Sequence, residues 1–63
     1  MQTFTKPNNL NGTELRAELN AAGIQISDDF NAVQLDGEEL YLKIAASDIE
    51  AAAVVVAAHN GTI

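Results

Sequence analysis

The chain has no cysteine and no tryptophan, one proline, one histidine and only three basic side chains. Without cysteine it has no disulfide and no thiolate to act as nucleophile or metal ligand. With a single histidine, a zinc site would need Asp and Glu in an unusual mix. Three Lys and Arg stand against nine Asp and Glu, a formal charge of −6. That balance opposes direct contact with nucleic-acid phosphates, which calls for a basic face. It suits solubility or a basic partner. The longest apolar run, residues 51–58, is far shorter than a bilayer span. Residues 1–7 lack the apolar centre of a secretory signal. No membrane association is expected.

The chain does have well-placed punctuation. All four glycines (Gly12, Gly23, Gly37 and Gly61) fall at expected element ends. A first helix is expected over about 12–22. Asn11 is a good N-cap with Glu14 three residues on, and Leu10 is placed to staple against Leu15. Leu15, Leu19 and Ala22 recur on one face, and Gly23 with Ile24 matches the Schellman ending. Ile24, Gln25 and Ile26 alternate as a short extended piece, and residues 27–29 read as a polar turn. Two strands follow, over 30–35 and 40–44, joined around Asp36-Gly37 as a hairpin. Only an even loop keeps Val33, Leu35, Leu40 and Leu42 on one face, because a one-residue slip turns every side chain over.

The second helix is expected over about 48–59 and organises the rest. Ser47 and Glu50 have capping-box spacing, and Asn60-Gly61 reads as the stop. One stripe, Ile49, Ala52, Ala53 and Val56, is enough to face a core. Val54, Val55, Ala51 and Ala58 lie outside it, where a surface helix is normally polar. A strand through Val54–Val56 suits the β-branched run but not the alanines around it. Sixty-three residues hold too little material to bury a helix on all sides, and domains of this size usually add disulfides, a metal or oligomerisation. Oligomerisation is what remains.

The expected fold class is therefore α+β. It is a small single domain over 10–63, helix–β-hairpin–helix (αββα), with both helices on one face of the hairpin and residues 1–9 as an N-terminal arm. The candidate interface is Val54, Val55, Ala58 and Ala51 on the last helix, with Tyr41 and Phe30 on the half-polar face of the hairpin.

Groups for catalysis are sparse. His59 is expected to interact with the C-terminal carbonyls of its own helix. A Ser-His-acid triad would have to use Ser27 or Ser47, and Ser47 is expected as a cap. The acid pairs Asp28-Asp29 and Glu38-Glu39 sit on turns, and residues 28–39 lack the alternating oxygen ligands of an EF-hand. No Gly-rich phosphate loop is present. No catalytic residue, metal site or cofactor is expected.

The pattern Leu10-Asn11-Gly12, Leu15, Glu18-Leu19, Ala22-Gly23, a hairpin, then residues 54–61 resembles short uncharacterised proteins of tailed bacteriophages and prophages. The resemblance implies a phage origin, a virion, tail or assembly role, and residence in the bacterial cytoplasm or the virion. Two functional classes follow. One is a structural or protein–protein interaction module, a homodimer or higher oligomer that engages itself, a phage structural protein or a host protein. The other is a small acidic inhibitor that occupies a basic site on a host enzyme or nucleic-acid-binding protein.

Overall fold

The computed structural model describes residues 2–27 and 29–61, with the backbone alone at Phe30. In chain order it contains β1 (Gln2–Thr5), α1 (Gly12–Ala21), β2 (Val33–Asp36), β3 (Glu39–Leu42) and α2 (Ile49–Ala58). Short 3-10 turns, Phe30–Ala32 and Ala46–Asp48, lead into β2 and α2. The class is α+β, with two helices and a three-stranded antiparallel sheet of order β1-β3-β2.

α1 is determined by its neighbours in the chain. The Asn11 side chain accepts from the backbone N–H of Thr13 and of Glu14, both at 3.1 Å. At the other end the Gly23 N–H reaches the Asn20 carbonyl and the Ile24 N–H reaches that of Leu19, both at 3.0 Å. This is the Schellman pair, and it needs the positive φ of 86° that Gly23 adopts. Leu15 and Leu19 point inward from the helix, fully buried.

The hairpin takes an even loop. Leu35 pairs with Leu40 and Val33 with Leu42, and Asp36 and Glu39 close on the two-residue turn Gly37-Glu38. Gly37 has φ 63° and no non-glycine residue among those described has a positive φ, which is the type II′ pattern. The strands run one to three residues off their expected bounds. Residues 30–32 coil into a 3-10 turn with the Asp29 side chain accepting from the Asn31 N–H. That coil turns Ala32 into the core, away from the half-polar face on which alternation had placed it. Ile24 and Ile26 are buried and Gln25 is exposed, so this piece alternates as expected without joining the sheet. Arg16 ties the following turn to α1, donating from Nη2 to the Asp29 carbonyl at 3.0 Å.

Three expectations need correction. The N-terminal arm supplies β1, whose Phe4 lies opposite Leu40, and the Lys6 N–H extends the ladder to the Glu38 carbonyl at 2.8 Å. Thr3-Phe4-Thr5 has the β-branched and aromatic composition of a strand, but its partner lies far along the chain. Secondly, the Ser47–Glu50 capping box does not form. A 3-10 turn occupies that position, and α2 begins after Asp48 with no side-chain cap. The helix ends where His59 turns extended, and Gly61 is not left-handed. Thirdly, α2 is rotated from the expected setting. Ala52 and Val56 are buried and Val55 packs on the core, while Ile49 (36% exposed) and Ala53 turn outward. The inward stripe is Ala52, Val55, Val56 and His59, a regular 3, 4 and 7 spacing. The helices cover β3 more fully than β2: Leu40 and Leu42 are fully buried, whereas Leu35 on the same face is 55% exposed.

Candidate interaction surface

His59 is the one buried polar side chain among the described residues, 6% exposed. Its Nε2 accepts the Asn11 backbone N–H at 3.1 Å. A backbone N–H can only donate, so Nε2 carries the lone pair and the ring proton sits on Nδ1. Nδ1 meets Glu18 Oε1 at 2.5 Å and donates to it. His59 therefore bonds α1 rather than the carbonyls of its own helix. Its ring occupies the N-cap N–H that the side chain at N3 takes in a capping box. Gly61 is packed just as closely. A Cβ there would stand 2.3 Å from the Asn9 carbonyl oxygen and 2.7 Å from the Asn11 nitrogen, so only glycine fits. In the sequence His59 shares helical spacing with Ala52, Val55 and Val56, but the stripe Ile49, Ala52, Ala53 and Val56 is as regular, so spacing does not single this arrangement out.

The rotation imposed by this contact decides what α2 shows outside. Val54 is 70% exposed, the most open large apolar side chain among the described residues. With Val55 and Ala58 it lines a shallow groove of about 440 Å3 against Glu18 and Ala21 of α1 and the Ala22 that follows it. The structure thus brings three of the candidate interface residues together. Ala51 is exposed but does not line the groove. Tyr41 lies on the opposite face of the sheet, its hydroxyl donating to Glu39 Oε2 at 2.8 Å. The side chain of Phe30 lies outside the described residues, as does Asp28. The Tyr41–Glu39 bond, with burial and the charges of Glu39 and Asp36 adding to it, raises the Tyr41 pKa above its ordinary 10.0.

Among the described residues no cluster of three His, Asp or Glu could hold a metal ion, and no helix is long and apolar enough to cross a membrane. Asp29 caps a 3-10 turn, its own N–H donating to Ser27 Oγ at 3.0 Å. Both nitrogens of His59 are engaged within the fold, so neither contacts Ser27 or Ser47. Set against known proteins, the chain matches no family model, no curated protein and no solved structure.

Proposed function

We propose that this protein is a non-enzymatic interaction module that works by binding other proteins and copies of itself. The observation that carries this reading is Val54, exposed in a groove whose other apolar walls are Ala21, Ala22, Val55 and Ala58. Charged or polar side chains are the usual occupants of such positions on a surface helix. The alanines let a partner helix approach α1 and α2 closely. The bacteriophage setting, with a structural or assembly role in the bacterial cytoplasm or virion, rests on the sequence resemblance alone.

Capture of partners from infected or lysogenic cells, together with mass spectrometry of purified virions, tests this reading. The wild-type chain is expected to retain a partner that Val54→Glu loses at unchanged fold. A partner that is indifferent to Val54→Glu and released by moderate salt would instead favour the acidic-inhibitor reading, since screening acts on charge pairs and not on apolar contact.

A further inference from the structure

The sheet has two outer edges, and they differ. In an antiparallel ladder, residues alternate between pairs that exchange both backbone bonds and pairs that exchange none. The Lys43 N–H donates to the Ala32 carbonyl at 2.9 Å, which sets the phase of the ladder, while the Ala32 N–H turns to the Asp29 carbonyl of the 3-10 turn. In this register Gln34–Tyr41 and Asp36–Glu39 are then bonded, while Val33 and Leu35 turn their N–H and C=O groups outward. Among the described residues nothing in the chain bonds those outward groups. The same alternation, begun at the Lys6–Glu38 bond, leaves Thr3 and Thr5 outward on β1. The β1 edge shows only threonines and runs into Pro7. The β2 edge carries no proline or lysine to blunt it and bears Leu35, 55% exposed on the core side of the sheet.

We infer that the β2 edge pairs with the β2 edge of a second copy, antiparallel about a two-fold axis at Gln34, to form a continuous six-stranded sheet. The inference rests on the reading of the chain as an interaction module and gives its self-association a location. The outward groups limit the register, because only outward-facing residues can exchange bonds. With Val33 opposite Leu35 of the second copy, and Leu35 opposite its Val33, both outward residues of each strand are bonded. A two-fold axis normal to the sheet keeps the two core faces on one side. Each exposed Leu35 is then covered by the Val33 of the other copy.

On the opposite face the side chains complement each other. Gln34 meets Gln34 across the axis, flanked by Tyr41 on each side; one amide N–H is given to the Asn31 carbonyl at 3.3 Å, and the remaining N–H and the oxygen of each amide can bond the other copy's. One row further out, Asp36 stands opposite residue 32 of the second copy, whose alanine side chain turns into the core, and Lys43 lies beyond it. Alternation from Leu42 and Leu35 puts Lys43 and Asp36 on this same face. Across the place that Ala32 leaves empty on this face, Lys43, one of the three basic residues of each copy, faces Asp36 and then Glu39 of the other. The relation is reciprocal, as a two-fold interface requires. Other registers that match outward groups put Leu35 opposite Leu35 or Val33 opposite Val33, and move Lys43 out of the acidic row.

Sedimentation of the full chain over a range of concentration tests this, with Val54→Glu as the control for the helix groove. The wild-type chain and Val54→Glu are expected to dimerise alike, with amide exchange at Val33 and Leu35 slowing as dimer accumulates. Leu35→Pro is expected to abolish the dimer and keep the circular dichroism of the fold, because the Leu35 N–H serves no bond within the chain. Leu35→Lys should do the same without touching the backbone. Lys43→Glu should weaken the dimer roughly tenfold, and adding Asp36→Lys should restore it. A dimer that survives Leu35→Pro and Leu35→Lys but dissociates with Val54→Glu overturns this pairing and leaves the interaction reading standing. A monomer at every concentration overturns the pairing and the self-association, while capture of another protein is decided by its own experiment.

Discussion

The two helices are equal in length and opposite in what determines their ends. α1 and α2 each span ten residues. α1 is closed by residues beside it in the chain: Asn11 before it, Gly23 and Ile24 after it. α2 has no side-chain cap at its start, and its end is decided by where His59 and Gly61 must go to meet α1. Capping signals were present in both sequences. They determined the structure where nothing else competed, and yielded where a tertiary contact did.

The sharpest way to break this contrast is at Gly61. Gly61→Ala forces a Cβ into the Asn9 and Asn11 backbone, and should cost about 3 kcal/mol by thermal or denaturant unfolding. An effect of a few tenths would mean that this contact does not hold the end of α2. Removing the side chain in His59→Ala takes away its bonds to Asn11 and Glu18 and leaves a gap in a buried site, and should cost about 2 kcal/mol. The same variant should leave α1 helical, since both caps of that helix remain.

The caps themselves come next. Asn11→Ala removes the acceptor for two backbone N–H groups and should cost about 1 kcal/mol. Ser47→Ala, at the equivalent sequence signal before α2, should change stability by less than about 0.5 kcal/mol. Equal costs at the two serine and asparagine positions would erase the distinction between the helices. The smallest effect is a titration. Tyr41 is held above its ordinary pKa because its hydroxyl donates a hydrogen bond to the Glu39 carboxylate, so the phenol should ionise later than a free tyrosine by ultraviolet absorbance. Glu39→Gln should bring it back toward 10.0. By linkage, the stability tied to this bond is present below the ordinary tyrosine pKa and lost as pH rises through the raised one.

What was legible in the sequence follows the same division. The parity of the hairpin could be worked out, because only an even loop keeps Val33, Leu35, Leu40 and Leu42 on one face; the register itself, Leu35 with Leu40 about Gly37-Glu38, could not, because more than one even loop does so. The Schellman ending could be read from Leu19, Gly23 and Ile24, which lie within a few residues of one another. The setting of α2 could not be read, because a helix apolar on every side offers no contrast between faces. Its rotation was chosen by a histidine bond to the other helix. β1 was missed for a related reason: four residues without an adjacent partner strand carry no turn to announce them. Of the candidate surface, Val54, Val55 and Ala58 came together through a rotation that the sequence did not specify, and Tyr41 fell on another face.

The central position of β3 has a kinetic consequence. Its pairing with β2 closes a two-residue turn and can form within microseconds. Its pairing with β1 must first bring Lys6 to Glu38 around the whole of α1, and loop closure of that kind is entropically late. The same holds for His59 and Gly61 against Asn9 and Asn11. Both ends of the described chain should therefore be absent from the rate-limiting step, which the hairpin and α1 cross first. Phe4→Ala should speed unfolding and leave the folding rate nearly unchanged in a chevron, whereas Leu40→Ala should slow folding. The fold is then assembled from its middle outward, and its lifetime once formed is governed by segments that play no part in finding it.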